Sequence, residues 1–143
     1  MDQNLKREII LDNYNNPHNK GLVDDERYVK LNMNNTSCID ELDIQILFSD
    51  DKKKIKDIRF EGEACAICTS SASIMTKELE GKTIEEAKEI VNNFENMIDE
   101  KEYDKEKLGE ANVYEDTGKQ PNRKKCALLA WWGIEKGIEE NHR

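Results

Sequence analysis

The chain has 143 residues, with 22 Lys and Arg against 31 Asp and Glu, a formal net charge of −9. The length suits one compact domain, and the negative charge argues against nucleic-acid or anionic-membrane partners, which attract clustered Lys and Arg. No apolar run approaches the ~20 residues that a membrane-spanning helix needs, and the N-terminus is charged. We therefore expect a cytoplasmic protein whose four cysteines stay reduced.

The first half of the chain predicts one helix and then a small antiparallel sheet. Residues 3–14 carry apolar side chains (Leu5, Ile9, Ile10 and Tyr14) at helical spacing, and the turn at Pro17 ends that helix. Residues 42–48 alternate apolar and polar side chains, which predicts a strand with one buried face. A return strand near 55–62 and a third strand at 28–33 would complete the sheet.

The second half predicts helices. Helical spacing of apolar residues covers 65–79, 84–98 and 123–138, and a capping-box pattern at Thr83 precedes the middle one. Residues 99–122 are highly charged and predict a loop with a short helix. Together these elements predict an α+β fold, in which helices pack on one face of a three-stranded antiparallel sheet.

Three of the four cysteines stand where predicted elements begin or end. Cys38 lies in a polar turn before a strand, Cys65 opens the helix over 65–79, and Cys126 falls in the predicted first turn of the last helix. Helix N-termini favour thiolate, so these cysteines are candidate metal ligands or reactive thiols. Cys68 lies inside an apolar helix, as core cysteines do, although it could complete a four-cysteine zinc site.

Asp40 is the other candidate ligand. If residues 38–40 are extended, the Cys38 and Asp40 side chains emerge on the same side and could bind one ion. An Asp in this place could equally cap a turn. Three thiolates and a carboxylate leave excess negative charge around a zinc ion, and the basic run 123–125 directly precedes Cys126.

Several motifs, in a fixed order along the chain, carry a family resemblance. They are DNYNNPHNKG at 12–21, CID at 38–40, FEGEAC at 60–65, SSAS at 70–73, LEGKT at 79–83 and KCALLAW at 125–131. In these motifs, over nearly its whole length, the chain resembles the iron–sulfur cluster assembly family of IscU and SufU proteins. The charged stretch 99–122 resembles an insertion of the SufU branch. Lys125 stands where the IscU branch carries a histidine, which favours the zinc-binding SufU branch.

The resemblance implies one IscU/SufU-like domain over 1–143, with a SufE/NifU-like fold and the branch-specific insertion at about 99–122. It implies that the metal ligands are Cys38, Asp40, Cys65 and Cys126. Cys38 matches the sulfur-accepting cysteine of the family, and Arg123 matches an arginine near the SufU site. We therefore expect Cys38 and Arg123 to take part in the reaction.

Two residues depart from the family pattern. Ile39 replaces the Gly that usually separates the first cysteine from the aspartate, and a β-branched residue does not readily take a positive φ. Cys68 replaces a small residue such as Ser or Ala. Either Asp40 or Cys68 could therefore be the fourth ligand.

The implied function is iron–sulfur cluster biogenesis. The protein would accept persulfide sulfur from a SufS-type cysteine desulfurase through the zinc-bound Cys38, and would serve a downstream cluster assembly complex. One alternative is an IscU-like scaffold that holds a transient iron–sulfur cluster, since cysteine ligation suits a cluster too. Another is a structural zinc module that binds a partner and keeps all of its ligands.

Overall fold

Residues 1–35 and 39–141, which the computed structural model describes, form four α-helices, three β-strands and three short 3₁₀ helices. Their order is α1 (Gln3–Asn15), β1 (Val29–Asn34), β2 (Glu41–Phe48), β3 (Ile55–Glu61), α2 (Ala66–Leu79), α3 (Ile84–Ile98), the 3₁₀ helices Lys105–Lys107, Gly109–Tyr114 and Thr117–Lys119, and α4 (Pro121–Asn141). None of the helices in these residues is both long and apolar enough to cross a membrane.

The sheet has the order β1-β2-β3, and both pairings are antiparallel. Leu31 lies opposite Ile44, and Ile46 lies opposite Ile58, so the alternating apolar residues meet on one face. The register shifts between Leu47 and Phe48. Ile55 does not fit the alternation of Ile58 and Phe60 on the same strand. The register shift pairs Ile55 with Phe48, and Ile55 is fully buried in the core. The predicted three-stranded sheet is confirmed.

Helix α4 packs closely on the sheet because two glycines face it. A Cβ atom on Gly133 would lie 2.5 Å from Cδ1 of Ile44, and one on Gly137 would lie 2.3 Å from Cδ1 of Ile46. Helix α3 packs against α4 through Trp131, which is fully buried and stacks on Phe94 with 4.1 Å between ring centroids. With α2 also packed on α4, the predicted α+β architecture is confirmed.

Helix α1 forms where the sequence predicts it, and only part of its apolar stripe is buried: Ile9 and Ile10 pack against the core. Leu5 and Tyr14 are 44% and 43% exposed, whereas Lys6 and Asn13 are buried. Asn13 is buried because its side chain is paired: its amide donates to the carbonyl of Ile9, and its Oδ1 accepts from a serine of α2. Burying a polar group is tolerated when it is hydrogen-bonded in this way.

The segment 99–122 is more ordered than the predicted loop. It contains the three 3₁₀ helices, and Tyr114 within it is fully buried. Lys6 of α1 reaches this segment and pairs with Glu115 at 2.8 Å and Asp116 at 2.7 Å. These ion pairs hold the segment 99–122 against α1. A charge-rich segment can therefore pack on this helix, because its carboxylates have a cationic partner there.

Candidate metal centre

Three predicted ligands from distant parts of the chain come together at one end of the sheet. Asp40 precedes β2, Cys65 is the N-cap of α2, and Cys126 lies in α4. A carboxylate oxygen and the two Sγ atoms all lie within 4.8 Å of one another. Asp40 and Cys126 are 1% and 5% exposed, and Cys65 is partly exposed. Two of the three donor residues are therefore buried, and the third is partly exposed.

Gly62 brings the segment before Cys65 against the start of β2. Gly62 has a φ of +145°, and a Cβ atom there would lie 2.0 Å from the carbonyl oxygen of Glu41. Directly beside it, the N–H of Glu41 donates to the carbonyl of Glu63 at 2.8 Å. This close approach makes Asp40 and Cys65 neighbours. The sequence predictions missed this role of Gly62, although a glycine between two glutamates at the end of a strand was a usable signal.

The Asp40 carboxylate is held in a fixed orientation. Its Oδ1 accepts a hydrogen bond from the backbone N–H of Cys65 at 2.8 Å, and its Oδ2 lies 3.8 Å from Sγ of Cys65. Its own carbonyl accepts from the N–H of Asn35 at 3.0 Å. One oxygen thus binds the backbone at the helix start, and the other faces the thiols. The capping interpretation and the ligand interpretation of Asp40 are therefore compatible.

Cys65 opens α2, as the sequence predicts. Its Sγ accepts a hydrogen bond from the N–H of Cys68 at 3.4 Å. Burial nevertheless raises the pKa of the Cys65 thiol, and the hydrogen bond from Cys68 only partly offsets this rise; the Asp40 carboxylate raises the pKa further. The helix N-terminus alone therefore does not keep Cys65 ionised.

The predicted place of Cys126 in the first turn of the last helix is wrong. Helix α4 begins at Pro121, so Cys126 lies in the second turn, where its Sγ is 3.8 Å from the carbonyl oxygen of Asn122. Burial raises the pKa of Cys126, and the neighbouring Asp40 and Cys65 raise it further. The pKa values of both thiols of the cluster are therefore raised above their usual value, which disfavours their ionised forms. A bound divalent cation would favour those ionised forms.

Ser71 fixes the two cysteine-bearing helices to each other. Its hydroxyl donates to the carbonyl of Ala127 at 2.7 Å and accepts from the indole Nε1–H of Trp131 at 3.0 Å. Ala127 directly follows Cys126. The buried serine of the SSAS motif thus helps to set the distance between Cys65 on α2 and Cys126 on α4.

The family model of the NifU-like N-terminal domain matches residues 5–142. The chain belongs to this family. A zinc-dependent sulfurtransferase SufU from Bacillus subtilis is 40% identical over 135 residues, which cover 94% of this chain and 89% of that protein. An iron–sulfur cluster assembly scaffold protein IscU from Streptococcus pyogenes is 36% identical over 134 residues, covering 93% and 82%.

A solved structure agrees with the assignment of this chain to the NifU-like family. The crystal structure of a protein from Fervidobacterium islandicum, described as an iron–sulfur cluster assembly scaffold protein for the SUF system, superimposes with a TM-score of 0.79. It is 36% identical and covers 92% of this chain and 94% of its own. The resemblance to the IscU and SufU proteins is confirmed, and the NifU-like fold with it.

Within this NifU-like domain, the two residues that depart from the family pattern differ in their exposure. Ile39 is 75% exposed and is not among the described residues with a positive φ. Cys68 is fully buried in the core, and the donor cluster found among the described residues does not include it. Its predicted role as an alternative ligand to Asp40 stays a prediction.

The remaining predicted site residues are Cys38 and Arg123. Cys38 lies outside the described residues, so its part in the site stays a prediction. Arg123 is exposed, one helical turn before Cys126, and borders a groove that Ile10 and Ile67 also line. It forms no ion pair with any residue in the described ranges.

Proposed function

We propose that this protein serves iron–sulfur cluster biogenesis by accepting sulfur on Cys38 from a cysteine desulfurase, next to a zinc ion held by Asp40, Cys65 and Cys126. Membership of the NifU-like family supports the biogenesis role, and the name of the Bacillus relative supports the zinc-dependent transfer. The observation that carries the proposal is the convergence of one carboxylate and two thiols within 4.8 Å.

The donor set fits zinc by its chemistry. Zinc binds thiolate sulfur at about 2.3 Å and carboxylate oxygen at about 2.0–2.2 Å, so a tetrahedral site separates its donors by roughly 3.4–3.8 Å. Oδ2 of Asp40 and Sγ of Cys65 lie 3.8 Å apart, and the three donor atoms of Asp40, Cys65 and Cys126 all lie within 4.8 Å of one another, which is compatible with such a site. Cys38, two residues before Asp40, would supply the fourth ligand. Bound zinc supplies positive charge that keeps the thiols deprotonated at neutral pH.

The protein residues have distinct tasks in the transfer. The Cys38 thiolate attacks the outer sulfur of a cysteine persulfide on the desulfurase. The sulfur–sulfur bond of that persulfide breaks, the desulfurase cysteine leaves as a thiolate, and Cys38 becomes the persulfide. The electron pair moves with the leaving sulfur, so no external oxidant is needed. Cys38 must be free of the metal to attack, because a bound thiolate is a poorer nucleophile.

Charge and ligand type around the site favour this exchange. Asp40 is a hard oxygen ligand, which matches zinc less tightly than thiolate does. Its hydrogen bond from the Cys65 N–H keeps it oriented. Arg123 places a guanidinium one turn before Cys126, where it would offset the negative charge of the ligands and of the arriving persulfide.

Metal analysis of protein purified without added metal tests the zinc site. We expect about one zinc per chain in the wild type and a loss of zinc in Cys126→Ser and in Asp40→Asn. The asparagine side chain keeps an oxygen that can accept the hydrogen bond from the Cys65 N–H. A loss of zinc in Asp40→Asn would therefore result from the loss of the negative charge of the carboxylate.

Two matched variants serve as controls. Asp43→Asn changes an exposed carboxylate of β2, and Cys68→Ser changes the cysteine outside the cluster. Both should keep their zinc. Full zinc in Cys126→Ser, or loss of zinc in Cys68→Ser but not in Asp40→Asn, would contradict the proposed ligand set.

A scaffold function is the second candidate, because the Streptococcus relative is named an IscU scaffold. Anaerobic addition of iron and sulfide separates the two functions. A stable brown chromophore that forms on a chain without tightly bound zinc would favour a scaffold whose cargo is a cluster on cysteine ligands. Retained zinc and no stable chromophore would favour sulfur transfer.

A further inference from the structure

Two cysteines at the start of α2 form a Cys-x-x-Cys pair, of which Cys65 belongs to the donor cluster of the described residues. Cys65 is the N-cap residue and is partly exposed, and Cys68 is the third residue of the helix and is fully buried. An accessible cysteine at a helix N-terminus with a buried cysteine three residues later is the arrangement found in dithiol redox sites.

The backbone spacing of the pair suits a disulfide. Residues three apart on an ideal helix have Cα atoms about 5 Å apart, inside the roughly 4.4–6.8 Å range that disulfides span. The Sγ of Cys65 already lies 3.4 Å from the backbone N of Cys68. Side chains on a helix lean toward its N-terminus, so the Cys68 side chain leans toward Cys65.

We propose that Cys65 and Cys68 form a reversible disulfide when a hydroperoxide oxidises the chain. The Cys65 thiol gives its proton to solvent, the resulting thiolate attacks one peroxide oxygen, the O–O bond breaks with loss of hydroxide, and Cys65 becomes a sulfenic acid. The Cys68 sulfur then attacks the Cys65 sulfur and displaces hydroxide, which leaves as water after taking a proton. For hydrogen peroxide, the two thiols together lose two protons and two electrons, and the peroxide becomes two waters.

Cys126 is the competing partner, because its Sγ lies within 4.8 Å of the Cys65 sulfur. A bridge between them would have to bring the two sulfurs to about 2.05 Å, with Cys65 on α2 and Cys126 on α4. Ser71 joins these helices through its bonds to Ala127 and Trp131, so drawing the helices closer together would disturb those bonds. The local bridge to Cys68 moves neither helix and is therefore favoured.

The disulfide would couple oxidation to metal loss. In the bridged form Cys65 is no longer a thiolate donor, so the cluster keeps one thiol and one carboxylate among its described donors. This consequence rests on the proposed zinc site, whereas the disulfide itself does not. Oxidation would release zinc, and reduction would restore the site.

Tryptic mapping tests the disulfide directly, because trypsin leaves Cys65 and Cys68 on one peptide and places Cys38 and Cys126 on two others. Residues 60–77 carry both Cys65 and Cys68, residues 126–136 carry Cys126, and residues 31–52 carry Cys38. The metal-free chain and the zinc-loaded chain are treated with hydrogen peroxide, alkylated and digested without reductant.

We expect peptide 60–77 from the metal-free chain to be two hydrogen atoms lighter and unalkylated, and to regain both alkylation sites after dithiothreitol. A fully alkylated peptide 60–77, or one cross-linked to 126–136 or to 31–52, would overturn the proposal. These outcomes do not depend on zinc, so failure of the disulfide is distinguishable from failure of the zinc site.

Cys68→Ser is the matched variant, and the buried Ser70 and Ser71 on the same helix show that hydroxyls are accommodated there. Without a resolving thiol, Cys65 should proceed to sulfinic or sulfonic acid, which dithiothreitol does not reverse. In the zinc-loaded chain, a metal-sensitive dye should report zinc release that reductant reverses in the wild type but not in Cys68→Ser. Equal recovery in both would overturn the proposal.

Discussion

Replacing Gly62 with alanine should damage both the fold and the metal site. The φ of +145° at Gly62 is a conformation that residues with a Cβ rarely adopt, and the new Cβ would lie 2.0 Å from the carbonyl oxygen of Glu41. That oxygen belongs to the backbone, so no side-chain rotation relieves the clash. The chain must move at the point where it leads to Cys65.

The structure sets the size of the effect. The strained backbone conformation costs about 1–3 kcal/mol, and forcing a methyl group into a packed place costs a further ~1–3 kcal/mol. Gly62→Ala should therefore lower the free energy of unfolding by roughly 2–6 kcal/mol, a large part of the roughly 5–15 kcal/mol typical of a domain. Because the segment before Cys65 moves away from Asp40, zinc affinity should also fall.

Gly21→Ala is the control for this prediction. Gly21 has a φ of +117°, yet a Cβ atom added there would meet nothing within 4 Å, so the variant carries only the conformational cost of about 1–3 kcal/mol. Urea unfolding followed by tryptophan fluorescence gives the two free energies, and competition with a chelator gives zinc affinity. Equal stability losses in both variants, with zinc affinity unchanged in Gly62→Ala, would refute the reasoning.

Two further predictions concern charges away from the site. Burial, together with the nearby Glu95, raises the pKa of Glu135 to about 8 from its usual 4.5. A raised carboxyl pKa stabilises the folded state at low pH, and this contribution is lost as the pH rises through the folded pKa. Unfolding measured across pH 4.5–8 should therefore show Glu135→Gln gaining stability over the wild type as pH rises; a constant difference would contradict this. Lys6→Met removes the ion pairs that the buried Lys6 forms with the partly exposed Glu115 and Asp116. It should cost about 1–2 kcal/mol, since solvent screens the carboxylates, and should speed amide hydrogen exchange across 105–119. Unchanged exchange there would show that these pairs do not stabilise the segment.

The sheet and most of the helices could be predicted because their signals are local. Helix α3 is the clearest case, since the predicted capping box is present: Thr83 accepts from the N–H of Glu86, and the Glu86 carboxylate accepts from the N–H of Thr83. The start of α4 was missed although Pro121 favours the first position of a helix. A better use of that signal would have placed Cys126 in the second turn.

The buried face of α1 could not be read from its own residues. Helical spacing favours Leu5 and Tyr14 as core residues, but the partners of Lys6 lie about a hundred residues later in the segment 99–122. A lysine is almost never fully buried unless it is paired, and the sequence of α1 alone does not indicate where such partners lie. Tertiary pairing therefore decided which face of this helix is buried.

The residue types and the family pattern predicted the candidate ligands. They did not predict the contacts that hold those ligands in place. The convergence of Asp40, Cys65 and Cys126 agrees with the expected ligand set. The close contact at Gly62 and the bonds of Ser71 between the helices depend on the three-dimensional path of the chain, and they became visible only in the structure.

Locating the transferred sulfur tests the proposed function most directly. The zinc-loaded protein is incubated with a cysteine desulfurase and cysteine, the persulfides are trapped by alkylation, and the tryptic peptides are weighed. We predict one additional sulfur on peptide 31–52, where Cys38 is the one cysteine, and none in Cys38→Ser. An added sulfur on peptide 60–77 or 126–136 instead, or equal desulfurase stimulation by Cys38→Ser and wild type, would contradict sulfur acceptance at Cys38.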